Sequence, residues 1–319
     1  MLHILLITFP FFALVLCGYV AARRGLLPQA AIPGLNAFVL YFALPCMLYR
    51  FGANTPVAQL LNGPIFLVYL LCALTMVSFA VAVTLSKRIN WNNAALGALV
   101  AAFPNTGFMG VPLLVALLGA QAAGPTIATI MVDMLVTTSL CIALSRLDNS
   151  GSAGARTAAK NALKGVASNP MPWSIMAGVA VSYFALQLPK PFTQTIGLLA
   201  DAASPVALFT IGAVLARSQM TAAQPTPWAD YVPVALIKLL LHPLLVLLVG
   251  SSAIALGVPL DRQSLTVIVL VAALPSASNV SLLAEKFGAD NGRIARIILV
   301  STVLAFFTFS LIVHLMTGL

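Results

Sequence analysis

Ten times in 319 residues the chain runs apolar for about 20 residues, the length a helix needs to cross a bilayer core of about 30 Å. The runs fall at approximately 3–22, 32–51, 64–86, 93–118, 122–145, 171–188, 194–216, 231–256, 264–286 and 294–316. They leave no length for a soluble domain, although such a chain would otherwise suit two. Composition agrees: 61% of residues are hydrophobic and 7% charged, against roughly 25% charged in ordinary globular chains. A segment in lipid must close its backbone hydrogen bonds within itself, so the fold class is an all-α polytopic membrane protein. Its first partner is the lipid bilayer.

The net charge of +9 suggests nucleic acid until the placement of the charges is read. With the N-terminus outside, the cytoplasmic ends receive Arg23, Arg24, Lys87, Arg88, Arg146, Arg156, Lys160, Lys164, Arg217, Lys286, Arg293 and Arg296. The outer ends receive Arg50, Lys190 and Arg262, and Lys238 stays within a span. Basic residues concentrate on the cytoplasmic side of membrane proteins, so the excess reports orientation and no nucleic-acid partner is expected. The first run lacks a basic leader and is followed by Arg23 and Arg24, which predicts a retained helix. An even number of spans then puts both termini on the outer side. Cys17, Cys46, Cys72 and Cys141 lie in apolar runs with no metal or redox spacing, and His3, His242 and His314 lie far apart. The cysteines read as small core hydrophobes and the histidines as packing or interfacial groups; no metal, cofactor or enzymatic centre is expected.

The longest polar stretch, "RLDNSGSAGARTAAKNALKGVASN", predicts a cytoplasmic linker over 146–170 between five-helix units at 1–145 and 171–319. The units echo each other. Pro10 and Gly18 match Pro170 and Gly178, Leu27-Pro28 matches Leu188-Pro189, and Pro45 matches Pro205. The fourth run reads "ALVAAFPNTG" and the ninth "LVAALPSASN". An odd number of spans per unit inserts the second copy upside down, and transporters with inverted repeats carry their site at the midplane, where the copies meet.

Pro104 and Pro275 interrupt these two runs at mid-depth. Proline removes a donor and clashes with the carbonyl four residues back, and a freed backbone group survives in a membrane only where protein or a water-filled cavity satisfies it. Asn105 and Thr106 after the first proline, and Ser276, Ser278 and Asn279 after the second, can satisfy such groups; Gly107 allows close approach or an unusual dihedral. Each break also starts a new half-helix whose N-terminus attracts anions. Two facing half-helix ends predict an anion site without a basic side chain. The plainer alternative is a pair of kinked helices repaired by Asn and Ser. Asp133 in the fifth span, Asp201 in the seventh and Lys238 in the eighth are intramembrane charges, each costing at least about 2.5–3.5 kcal/mol. Asp133 reads as a proton-titrating group or a cation partner. Lys238 reads either as functional or as snorkelling to the inner interface, and Asp201 either as functional or as a backbone cap beside Pro205.

The motifs "LNAFVLYFALP", "FPNTGFMGVP", "LADAASPVALFTIG", "IKLLLHPLL" and "ALPSASN" together resemble the auxin efflux carrier family, in particular its bacterial malonate-transporter-like branch. The resemblance spans nearly the whole chain. It implies the fold of sodium–bile acid symporters and sodium–proton antiporters, with a scaffold of spans one, two, six and seven. The mobile core would comprise spans three to five and eight to ten, with the two broken helices crossing in it. Pro104, Asn105, Thr106, Pro275, Ser276, Ser278 and Asn279 would form the crossover; Asn36, Pro45, Asp201 and Pro205 would face the substrate from the scaffold. Lys238 would stand where related folds bind sodium.

The resemblance further implies a multi-pass protein of the bacterial inner membrane and admits a homodimer. The plant members' long central loop is missing, and auxin is a poor substrate guess. The expected function is secondary active transport of a small organic anion such as malonate, coupled to protons or sodium through Asp133 and Lys238. The alternatives are a sodium-coupled symporter of a neutral or sterol-like substrate, an intramembrane enzyme or a passive channel.

Overall fold

A computed structural model describes residues 2–54, 62–147, 170–221 and 226–318. The expected linker lies outside the described residues except at its ends. Among the described residues the chain is helical and forms no sheet. Seven helical runs are long and apolar enough to cross a membrane, and shorter apolar helices at Thr106–Leu118, Trp173–Tyr183 and Arg262–Ala273 fall in the fourth, sixth and ninth expected spans.

The first helix is α1 (Leu2–Arg23), which carries Pro10 without ending. The second span is α2 (Ile32–Phe38), a π-helical turn Val39–Ala43, and α3 (Leu44–Asn54). Then follow α4 (Gly63–Thr84), α5 (Trp91–Ala102), a π turn Thr106–Gly110, α6 (Val111–Leu118), α7 (Ala123–Val132), a π turn Asp133–Thr137 and α8 (Thr138–Leu144). The described chain resumes with α9 (Pro170–Tyr183) and α10 (Lys190–Thr221). It continues through α11 (Val232–Leu236), a π turn Ile237–Leu241, α12 (His242–Ala255), α13 (Arg262–Ala273), α14 (Asn279–Lys286) and α15 (Asn291–Thr317).

Side-chain caps set four of these starts. Asn62, Asn90, Asp261 and Asp290 accept the amides of Ile65, Asn93, Ser264 and Arg293 at 3.2, 3.0, 2.7 and 2.9 Å, satisfying donors that a helix leaves open. The two helices that break thus start at equivalent capped positions: Asp261 follows Asn90 by 171 residues, as Pro275 follows Pro104.

The elements pack as two sets. In one, α1 lies along α10, and α3 along α9 and α10. These helices touch backbone to backbone through glycine. A Cβ at Gly18 would overlap the Phe209 carbonyl, one at Gly212 the Val15 carbonyl, one at Gly178 the Tyr49 carbonyl, and one at Gly52 the Ile175 carbonyl. Lipid gives helices no hydrophobic reason to associate, so close approach through small residues holds them. In the other set α4 packs on α5, α7 and α12, α5 on α8, and α13 on α12 and α15. The sets meet where α10 touches α15 and the Thr106–Gly110 turn, and where α1 touches α6 and α15.

Candidate functional site

Both proline-bearing runs break, and the breaks touch. α5 ends at Ala102 and α13 at Ala273, and Pro104 faces Ser276 in an isolated antiparallel bridge. Asn105 N donates to Pro275 O at 2.8 Å, and Ala277 N donates to Phe103 O at 2.9 Å. In an antiparallel pair, residues facing each other between such bonds turn their own amides outward. Pro104 therefore loses nothing by lacking a donor, and the outward amide of Ser276 finds Ser301 Oγ at 3.2 Å. Pro104 O accepts from Thr106 N at 2.8 Å. The crossing is offset by one residue from the alignment of the two prolines: Pro104 stands opposite Ser276, not Pro275.

This pairing alters the expected anion cradle. The first amides after each break, those of Asn105, Thr106, Ser276 and Ala277, serve the crossing itself. The helix-opening amides outside that pairing are those of Gly107, Phe108, Ser278 and Asn279.

A pocket of about 290 Å3, its open mouth included, lies against the crossing, lined by Leu44, Phe103, Pro104, Asn105, Thr106, Gly107, Phe108, Ile130, Met134, Ala277 and Asn279. Five of the expected residues are in this lining: Pro104, Asn105, Thr106, Gly107 and Asn279. Pro275, Ser276 and Ser278 are buried at the crossing behind it. Gly107 keeps an ordinary negative φ, and a Cβ there would make a normal 3.9 Å contact with Leu44. Its smallness rather than an unusual dihedral suits the position. Asn36 and Pro45 are half-buried on the second span outside the lining, and the span reaches the pocket through Leu44 instead. Asp201 is exposed on α10 and pairs with Arg50 on α3 at 2.6 Å, so it neither lines the pocket nor caps backbone beside Pro205. The apolar lining residues Leu44, Phe103, Phe108, Ile130 and Met134 carry no polar signal in the sequence.

Behind the lining lies a buried polar chain. Asp133, next to Met134, opens a π turn; its carboxylate accepts from Tyr69 Oη on α4 at 3.3 Å and from Thr137 Oγ1 at 3.2 Å. The widened turn also lets Thr138 Oγ1 donate to Asp133 O at 2.8 Å. Lys238, in another π turn, donates from Nζ to Ala272 O at 2.6 Å and lies 3.1 Å from His242 Nδ1. Ala272 stands in the last turn of α13, where free carbonyls favour a cation. The His242 and Tyr69 rings lie 5.9 Å apart. Asp133, Lys238, His242 and Tyr69 are all fully buried. Snorkelling of Lys238 is thereby corrected: its stem runs inward, because the α13 carbonyl and the imidazole satisfy the ammonium at depth. His242 is likewise no packing residue. The signal for it is its place four residues after Lys238, on the same helical face. The four cysteines are free; Cys72 and Cys141 are buried as expected, whereas Cys46 is half-buried and Cys17 exposed.

The family described as membrane transport protein matches residues 3–313 of this chain. The chain belongs to the auxin efflux carrier family of membrane transport proteins. Among the relatives of this auxin efflux carrier family member is a "Putative malonate transporter" of Rhizobium meliloti (strain 1021), 30% identical over 309 residues that cover 96% of this chain and 93% of the relative. An "Uncharacterized transporter YfdV" of Escherichia coli (strain K12) is 26% identical over 87% of this chain and 86% of the relative. An "Uncharacterized transporter" of Methanothermobacter thermautotrophicus is 26% identical over 92% of this chain and 91% of the relative. The homologues are named as transporters, in keeping with a multi-pass membrane protein that moves a solute.

Proposed function

We propose that this family member is a secondary active transporter of a small organic anion, a carboxylate such as malonate. The observation that carries the reading is the pocket on the paired breaks. It offers Asn105, Thr106 and Asn279 as hydrogen-bonding side chains and abuts the amide ends of two half-helices, each a weak positive pole. The relative named for malonate supports a carboxylate.

The working cycle is alternating access by an elevator movement. The glycine-packed set of α1, α2, α3, α9 and α10 is the scaffold, and the set holding both breaks is the carrier. Two inverted five-helix repeats, 1–145 and 171–319, underlie it. Gly178 follows Gly18 by 160 residues and Gly212 follows Gly52 by 160, and each of these four makes the same backbone contact with a helix of the other unit. Both termini lie on the outer face of a bacterial inner membrane, with 146–170 as the cytoplasmic linker. Protons are the coupling ion: Asp133 is the buried carboxylate and Lys238 holds its ammonium on the carbonyl end of α13, where a sodium ion would need that same carbonyl.

Uptake of labelled malonate into proteoliposomes tests the reading, together with a thermal-shift screen of small carboxylates, since a ligand of the folded state raises its stability. Malonate is expected to shift the melting temperature, with the shift lost in Asn105→Ala and uptake unaffected by removal of sodium. A screen in which no small carboxylate binds or moves would overturn the assignment.

A further inference from the structure

The proton chemistry of Lys238 depends on which base it touches. Asp133 is buried in the same interior, yet its oxygens are engaged by Tyr69 and Thr137. The base within hydrogen-bond distance of Nζ is instead the imidazole of His242, 3.1 Å away through Nδ1. While the lysine is an ammonium, Nδ1 must accept from it, which fixes the proton of a neutral imidazole on Nε2. That Nε2 is buried and has no hydrogen-bond partner among the described residues. A buried donor left so costs about 1–3 kcal/mol, and its retention asks for a reason.

Resting on the proton-coupled reading above, we propose that His242 relays the lysine's proton during transport. An N–H bond of the Lys238 ammonium breaks as Nδ1–H forms, giving a neutral amine and an imidazolium. The imidazolium then releases its Nε2 proton to a water molecule that transport admits to this otherwise buried nitrogen. What remains is a neutral lysine accepting from Nδ1–H of a neutral imidazole, with the tautomer exchanged; reloading runs the same steps backwards. The 3.1 Å contact serves both states, because donor and acceptor simply change places. Tyr69 faces His242 from α4, and Lys238 does so from its own run; Cys72 of α4 meets the Leu245 carbonyl one turn along, and the Ala272 carbonyl of α13 holds the lysine. Asp133 reaches this group through Tyr69, and Cys141 of α8 lies beside Asp133.

His242→Asn separates relaying from mere positioning, since its amide oxygen can stand where Nδ1 stands and still accept from Lys238 but cannot carry a proton. Malonate uptake measured from about pH 5 to pH 8 should lose its pH dependence in this variant and fall about tenfold at the wild-type optimum. Uptake with an unchanged pH profile would overturn the relay while leaving the transport reading intact. If His242→Asn does not fold, nitrogen NMR with labelled histidine of a His3→Gln, His314→Gln chain that keeps His242 decides. The relay requires the His242 proton to move from Nε2 to Nδ1 as pH rises; a tautomer fixed across the range would refute it. Should wild-type protein take up no malonate, the transport reading has failed separately, and the tautomer measurement still tests the relay.

Discussion

Lys238 is expensive to keep at depth and more expensive to leave half of. Its ammonium is bonded to Ala272 O and shares the interior with the fully buried Asp133, so removing it strands a carboxylate there. Lys238→Met is expected to destabilise the protein by about 3–5 kcal/mol, read as a fall in unfolding midpoint in detergent. Lys238→Met with Asp133→Asn should recover most of that loss, because no unpaired charge remains. Transport would stay absent in both. A different split is expected at the crossing. Asn105 contributes its backbone amide to Pro275 O and its side chain to the pocket, so Asn105→Ala should abolish the malonate shift and leave stability nearly unchanged. Ser301→Ala removes the acceptor of the Ser276 amide and should instead cost about 1–3 kcal/mol of stability.

Helices packed through glycine tolerate no side chain there, because the atoms a methyl would strike are backbone. Gly18→Ala must push α1 off α10 at Phe209, and a cost above about 3 kcal/mol is expected, visible as loss of monodisperse protein on size exclusion. Gly34→Ala, with open space around it, is the matched control and should behave as wild type. The helices themselves, and the breaks at Pro104 and Pro275, were legible in the sequence because apolar length and proline act locally. The packing of α1 on α10 was not, since Gly18 and Gly212 are distant in the chain and their contact is a property of three dimensions. Nor were the four π turns, whose extra residue leaves no mark on an apolar run although Asp133, Lys238 and Thr106 all lie in them. The pocket's polar residues announced themselves by interrupting a hydrophobic stretch. Its apolar walls, Leu44, Ile130 and Met134, looked like any other lipid-phase residues. Asp201 shows the converse: a charge in a span invites a functional reading, and only the fold reveals Arg50 beside it.

If one helix set slides past the other, as proposed, that movement predicts which contacts can be fixed without stopping the carrier. Leu44 belongs to the glycine-packed set and Gly107 to the crossing, and a Cβ at Gly107 would lie 3.9 Å from Leu44 Cδ2. This contact must open if the pocket travels. In a chain whose Cys17, Cys46, Cys72 and Cys141 are replaced by alanine, Leu44→Cys with Gly107→Cys can be bridged by a short, reducible thiol cross-linker. Bridging is expected to arrest malonate uptake, and reduction to restore it. Asn93 and Asp290 supply the control, since both lie in the proposed carrier set and Asp290 N donates to Asn93 Oδ1 at 2.7 Å. A bridge between cysteines at those two positions holds together parts that move as one body, so uptake should continue. If the first bridge leaves uptake at its unbridged rate, the two sets do not slide at Leu44, and access must alternate through local opening around the crossing instead. If the second bridge also arrests uptake, the set containing α5 and α15 is not rigid, and the site moves by deformation within it.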